Sequence, residues 1–145
     1  MKLLMIYARR FGYHPAVKSV PEAPDIRTDG LAENAIVGFI HVEQEDTERA
    51  SKVQTRLIKN LKWLAGKNDT RTIVLHSFAH LSESKASPEF VATLLDNAQK
   101  RLEDAGYKVL QTPLGYFLDL ELFAPGFHHV LFKSAYCCNN NVRYA

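Results

Sequence analysis

The segment His76-Ser77-Phe78-Ala79-His80-Leu81-Ser82 carries two imidazoles and two hydroxyls in a short stretch of chain. It follows Thr72-Ile73-Val74-Leu75, which reads as a buried strand. It precedes Ser87-Pro88-Glu89, which reads as the start of a helix. Side chains able to do chemistry therefore fall where a strand stops and the chain crosses towards a helix. In open α/β sheets, ligand crevices form at that end of the strands. A neutral imidazole there can position a water or bind a substrate amine, and hydroxyls can orient what is bound. The bland reading is a loop whose polar side chains satisfy its own backbone.

Metal chemistry is the competing class. His76, His80, His128, His129, Cys137 and Cys138 supply imidazoles and thiols, both suited to zinc. The spacing argues against it. His76 and His80 have the spacing of helical ligands on a strand-to-loop segment, and His128 and His129 point to opposite faces of a strand. There is no Cys-x-x-Cys pair, so no metal is expected. Neither a phosphate-binding glycine loop nor a Gly-x-Ser-x-Gly elbow occurs, and nucleotide hydrolysis and serine-hydrolase chemistry lack support.

The elements that must position the segment are read from apolar period and punctuation. Leu3 to Tyr7 reads as a central strand. From Arg9 to Asn34, glycines and prolines predict a long connection with one short edge strand at Ala16 to Val20. Ala35 to Val42 is the next strand, and Gly38 in it marks a bulge or a close backbone approach. Asp46 is expected to cap a helix reaching Ala65, with Ala50, Val53, Leu57, Leu61 and Leu64 as its buried stripe and Gly66 as its stop. Arg49, Lys52, Arg56, Lys59 and Lys62 form a basic outer face, read as solvated in preference to RNA-binding.

Thr72 to Phe78 is a strand. A helix from Ser87 to Ala105 follows, with Pro88 in its first turn and Gly106 after its end. Its stripe is Phe90, Val91, Leu94, Leu95, Ala98 and Leu102. Tyr107 to Leu110 starts another strand, which Pro113-Leu114-Gly115 breaks. Tyr116 to Phe123 then alternates, Tyr116, Leu118, Leu120 and Leu122 facing one way and Phe117, Asp119, Glu121 and Phe123 the other. Ala124-Pro125-Gly126 is a turn, and Phe127 to Ala135 is expected to return as the second arm of a hairpin. Residues 136–145 read as a loose polar tail.

With 145 residues the chain is one domain, 1–145, large enough to bury a core without staples. Its formal charge of +2 neither demands nor excludes an RNA partner. No signal peptide or membrane span is legible, and Cys137-Cys138 read as reduced thiols, so the expected location is the cytoplasm.

Phe78-Ala79-His80-Leu81, within the segment from Ser77 to Pro88, and Pro113-Leu114-Gly115-Tyr116 further on carry a resemblance. Together they resemble the N-terminal editing domain of archaeal threonyl-tRNA synthetases, a family with the fold of D-aminoacyl-tRNA deacylases. The resemblance runs roughly from Met1 to Lys133 and is densest from Ile73 to Tyr116. It implies an α/β (mixed α+β) fold: a mixed sheet packed by two long helices, with a terminal hairpin, usually in a homodimer. It also implies hydrolysis of the ester of serine wrongly attached to threonine tRNA, without a cofactor. The partner would be the 3′ end of an aminoacyl-tRNA.

By the same resemblance His80 and Tyr116 are the catalytic candidates. His41, Ser77, Ala79, Phe117 and Leu118 are the substrate-binding ones. An ester is already activated, so the site needs only a placed water, donors for the developing oxyanion and the ribose hydroxyl near the carbonyl. Two positions depart from the family. Leu118 stands where the family has a lysine, and an ungapped match puts Leu131 where it has a glutamate. A charged donor at the carbonyl is thereby lost, and the family's preference for serine over threonine does not carry over. Because no synthetase body follows, the expectation is a free-standing deacylase acting in trans. The alternative is a catalytically degenerate module that binds tRNA ends or a small amino-acid-like ligand.

Overall fold

A computed structural model describes residues 1–126, 130–134 and 143–144. Strands β1 (Lys2–Lys18) and β2 (Gly30–His41) are followed by a 3-10 helix (Gln44–Arg49) that leads into helix α1 (Ala50–Lys67). Next come β3 (Thr72–Ser77), α2 (Pro88–Asp104), β4 (Lys108–Gln111), β5 (Tyr116–Phe123), β6 (Val130–Ser134) and β7 (Arg143–Tyr144). They form one mixed seven-stranded sheet in the order β4-β3-β2-β1-β6-β7, with β5 also on β1. The β2, β3 and β4 strands are parallel, connected through α1 and α2. β1 runs antiparallel to β2, β5 and β6.

The helices form along their predicted stripes, but α1 starts at Ala50 and not at Asp46, and it runs through Gly66 to Lys67, so Gly66 is not its stop. Val53, Leu57, Leu61 and Leu64 of α1 meet Leu94, Leu95, Ala98 and Leu102 of α2 over Leu3, Met5, Ile36, Ile40, Ile73 and Leu75 of the sheet. Each fully buried side chain of this size stabilises the fold by about 1.5–3 kcal/mol. Gly38 lies under α1. A Cβ there would come within 3.0 Å of Leu61 Cδ2, so the absent side chain admits the helix, and the register with β1 passes through it without a bulge. The opposite sheet face carries a second cluster, Ala8, Phe11, Ala35, Val37, Phe39 and Val74.

Several expectations give way to longer-range constraints. The expected edge strand at Ala16 to Val20 is instead the end of β1, which runs unbroken through Gly12 and Pro15. A register shift between Pro15 and Val17 opposite β5 absorbs the proline, whose missing N–H would otherwise break the ladder. Asp46 does not cap α1. It is buried, accepts the Glu43 backbone N–H at 2.8 Å, and pairs with the Met1 ammonium at 2.7 Å. Ser87 does cap α2, its hydroxyl accepting from the Phe90 N–H at 3.3 Å, and Gly106 follows the helix at φ +83°. The terminal hairpin is the β6–β7 pair. β5 and β6 lie end to end along β1, pairing with its second and first halves. Of the tail 136–145 only Arg143–Tyr144 falls within the described residues.

Candidate active site

β3 stays paired with β2 one residue past its end, where the Phe78 N–H donates to the Ile40 carbonyl at 2.8 Å. From there the chain turns outward, and the His80 N–H closes the turn on the Phe78 carbonyl at 2.9 Å. The rest of the loop is fastened to the segment that leaves β2. His41 is buried and holds it twice: Nδ1 accepts from the Leu81 N–H at 3.1 Å, and Nε2 lies 2.7 Å from the Ser84 carbonyl oxygen. One nitrogen accepts and the other faces an acceptor, so His41 is the neutral tautomer protonated at Nε2.

Ser82 Oγ donates to Glu43 Oε1 at 2.8 Å, the Gln44 N–H donates to Ser84 Oγ at 3.1 Å, and the Ala86 N–H donates to the Val42 carbonyl at 3.1 Å. Glu43 is buried and also binds the Met1 ammonium at 2.6 Å. Burial alone would raise its pKa. The hydrogen bonds from the ammonium and Ser82, with the charges of Met1 and Lys2, outweigh burial and hold it below the usual carboxylate range. These ties leave Ala79 and His80 exposed at the outer turn of a fixed loop.

The facing wall is the start of β5. Gly115 adopts φ +80°, where a Cβ would come within 2.9 Å of the Ala23 Cβ, so this turn requires glycine. Its carbonyl accepts the Ser19 N–H at 2.8 Å, docking the turn on the β1–β2 loop. Tyr116 fixes the same contact. Its hydroxyl donates to the Pro24 carbonyl at 2.8 Å and accepts the Ile26 N–H at 3.0 Å.

Between the walls lies a cavity of about 140 Å³, lined by His76, Ser77, Phe78, Ala79 and His80 from one side and by Tyr116, Phe117, Leu118 and Leu120 from the other. The His80 ring stands edge-on to Phe78 with centroids 5.1 Å apart. Deeper in, the buried His76 ring packs against Phe39 at 5.2 Å, and its Nδ1 lies 2.9 Å from Thr112 Oγ1. Burial pushes the His76 pKa down to about 4, so the ring is neutral at physiological pH.

Six residues singled out from the sequence thus line one cavity: His80, Tyr116, Ser77, Ala79, Phe117 and Leu118. His41 does not line it and sits behind the loop with both ring nitrogens engaged. The one O–H donor of Tyr116, assigned a catalytic role from sequence, is committed to Pro24. Leu131 lies in β6, where only the backbone is described. Sequence reasoning named His76 as one of two imidazoles at the strand end and among possible metal ligands, but not among the catalytic or substrate-binding residues. Positions 76, 78 and 80 share a parity, which in a strand means one face, and that was the available signal. Among the described residues no group of three His, Cys, Asp or Glu could hold a metal, and His128, His129, Cys137 and Cys138 lie outside them. Also among the described residues, no helix is long and apolar enough to cross a membrane.

A mixed sheet with two helices on one face, and a cavity between a Phe-Ala-His-Leu loop and a Gly-aromatic turn, define an editing-domain architecture. The chain belongs to the archaea-specific editing domain family of threonyl-tRNA synthetase, which matches residues 1–133. It is 34% identical over 132 residues to a threonine–tRNA ligase of Hyperthermus butylicus, covering 87% of this chain and 21% of that one. Ligases of Methanosphaera stadtmanae (28% identical) and Methanopyrus kandleri (27%) match over 128 residues each, 87% of this chain and 21% and 20% of theirs. The chain therefore spans about a fifth of the length of these curated relatives.

Proposed function

We propose that this domain hydrolyses the ester of a mischarged aminoacyl-tRNA, and does so in trans where no ligase body accompanies it. The observation that carries this reading is the convergence of His80, Tyr116 and Leu118 on one cavity in a chain of this family. The cavity, about 140 Å³, has room for an aminoacyl group. The tRNA 3′ end would lie across its mouth, beside the exposed His80 ring. His80, held on a fixed turn, positions the attacking water or the substrate amine. Tyr116 and Phe117 form the wall, and Leu118 makes that wall apolar where the family's lysine would bring charge. Prealignment of an activated ester with water on rigid elements supplies most of what such a reaction needs. The reaction belongs in the cytoplasm, where charged tRNA is found.

The domain is further proposed to act as a homodimer, on the strength of apolar side chains exposed along β5: Phe117, Leu120, Leu122 and Phe123. A second reading, a catalytically degenerate module that binds the tRNA end without cleaving it, is favoured by Leu118 and by the engagement of the Tyr116 hydroxyl. The deciding experiment incubates the purified protein with a panel of aminoacyl-tRNAs and follows ester loss. Hydrolysis of at least one member that His80→Ala slows supports the deacylase. Retained tRNA binding with no ester loss across the panel supports the binding module.

A further inference from the structure

His76 is the one ring in the cavity that is both deeply buried and chemically unfinished. It is 6% exposed, enclosed by Phe39, Phe78 and Phe11 at centroid distances of 5.2, 5.9 and 6.4 Å. Its Nδ1 faces the Thr112 hydroxyl, itself 2% exposed. Among the described residues that hydroxyl has no other acceptor for its proton, so it donates to Nδ1, and the His76 proton sits on Nε2. Nε2 has no protein partner among the described residues, while the residue lines the cavity. Among the described residues the buried side-chain polar atom sealed off without a partner is Gln111 Oε1, so the His76 N–H is open to the cavity, where a ligand can reach it.

Of the other groups around the cavity, the Ser77 hydroxyl and the exposed His80 ring are also donors, but neither is buried as His76 is. The Phe78 and His80 backbone N–H groups are bonded to carbonyls, and the Tyr116 O–H is bonded to Pro24. The side chains of Leu118 and Leu120 have none to offer. We propose that His76, through Nε2–H, is the neutral donor that receives the carbonyl oxygen of the bound ester and stabilises the oxyanion formed there. This rests on the deacylase reading and names a residue that the reading does not use. Water adds through its oxygen to the carbonyl carbon, and the carbonyl π pair moves onto oxygen opposite Nε2–H. Collapse expels the ribose oxygen, which takes up the proton released by the water. The products are the free amino acid and the tRNA, and the His76 proton stays on Nε2 throughout. A donor already fixed in place acts on a developing charge without the reorganisation that water requires. An uncharged donor tied to Thr112 thus takes up the role left vacant by the missing lysine.

The test has two parts. Single-turnover hydrolysis is measured for wild type, His76→Phe, which keeps a ring without a donor, and His76→Gln, which restores an N–H donor. Thermal melts confirm folding. His76→Phe is expected to lose about 10²–10³-fold in kcat with KM little changed, and His76→Gln to recover at least tenfold of that. A folded His76→Phe at wild-type kcat overturns the proposal, as does a His76→Gln no better than His76→Phe. If wild type cleaves no aminoacyl-tRNA, the deacylase reading fails, and the second part judges His76 separately. In 15N-histidine spectra, protonation at Nε2 and a shift of that signal on adding a non-hydrolysable 3′-aminoacylamido-adenosine are expected. Protonation at Nδ1, or an unmoved Nε2 signal in the presence of the bound analogue or with no binding at saturating analogue, overturns the donor assignment.

Discussion

The Leu81 backbone N–H donates to Nδ1 of His41 across 3.1 Å, tying the loop that carries His80 to the end of β2. The ring is a strut: it touches the backbone on either side of Ser82 and does not reach the cavity. Replacing it by leucine keeps bulk but leaves the Leu81 N–H and the Ser84 carbonyl without their partner. His41→Leu is expected to lower kcat about 10²-fold, the scale set by an ångström-sized displacement of a catalytic group. It should also raise amide exchange at Leu81. His41→Asn, with one donor and one acceptor, should recover part of the loss. Unchanged exchange at Leu81 in His41→Leu would remove the strut.

Acid should weaken the fold through His76. Its folded pKa, about 4, lies below the ordinary value of 6.5, so the unfolded chain binds the proton more readily. The stabilisation is fully present above about 6.5 and is lost as pH falls from there through 4. Its full size is roughly 3 kcal/mol, from 1.36 kcal/mol per pKa unit. Denaturant melts of wild type and His76→Phe at pH 7 and pH 4.5 should therefore differ: wild type loses more stability on acidification, by about 2–3 kcal/mol. Equal losses in the two proteins would mean that His76 is not held neutral by burial.

How much of this was legible depends on the range over which each feature is decided. The stripes and caps of α2 are local, and Ser87, Pro88 and Gly106 stand where the sequence put them. The two walls of the cavity were also legible, because the Phe78-to-Leu81 and Pro113-to-Tyr116 segments carry their family's pattern. Features decided across the fold were not. Pro15 ends a strand in a local reading, yet β1 continues because β5 supplies a register shift opposite it. Asp46 reads as a cap, yet it is used by Met1, 45 residues away. His41 reads as a strand-end ligand. Its true partners, about 40 residues on, appear only once β2 and the loop are side by side.

Leu118 gives the sharpest chemical contrast. It shares the cavity with His80 and Tyr116, and the resemblance implies a charged donor at its position. An apolar wall discriminates by about 1–3 kcal/mol per methylene, whereas a dedicated polar partner can reject an unmatched substrate far more strongly. Hydrolysis of seryl-tRNA is expected to be slow or undetectable, with retained activity favouring a more apolar aminoacyl group. Leu118→Lys should raise activity on seryl-tRNA, and His80→Ala should lower it in either background. Brisk wild-type cleavage of seryl-tRNA, indifferent to His80→Ala, would place the chemistry elsewhere.

The last expectation concerns assembly. Beyond Asp119, β5 is exposed on both faces: Phe123 is 56% exposed on one, and Leu120 and Leu122 about 40% on the other. Phe117, on the face of Phe123, is 59% exposed. Among the described residues β5 pairs with β1 alone, which leaves its other edge open. An open strand edge carrying large apolar side chains is a template for another strand, and a second copy of this chain is the partner always present at equal concentration. Sedimentation equilibrium of the wild type is therefore expected to give twice the chain mass at micromolar concentration. Phe123→Asp should shift the mass towards that of one chain. Its position, exposed and away from the cavity, predicts a change in intrinsic stability within about 0.5 kcal/mol. A wild type that sediments as a single chain at every concentration would show that β5 is not a homodimer surface. A Phe123→Asp variant that stays dimeric would move the interface to another part of the fold.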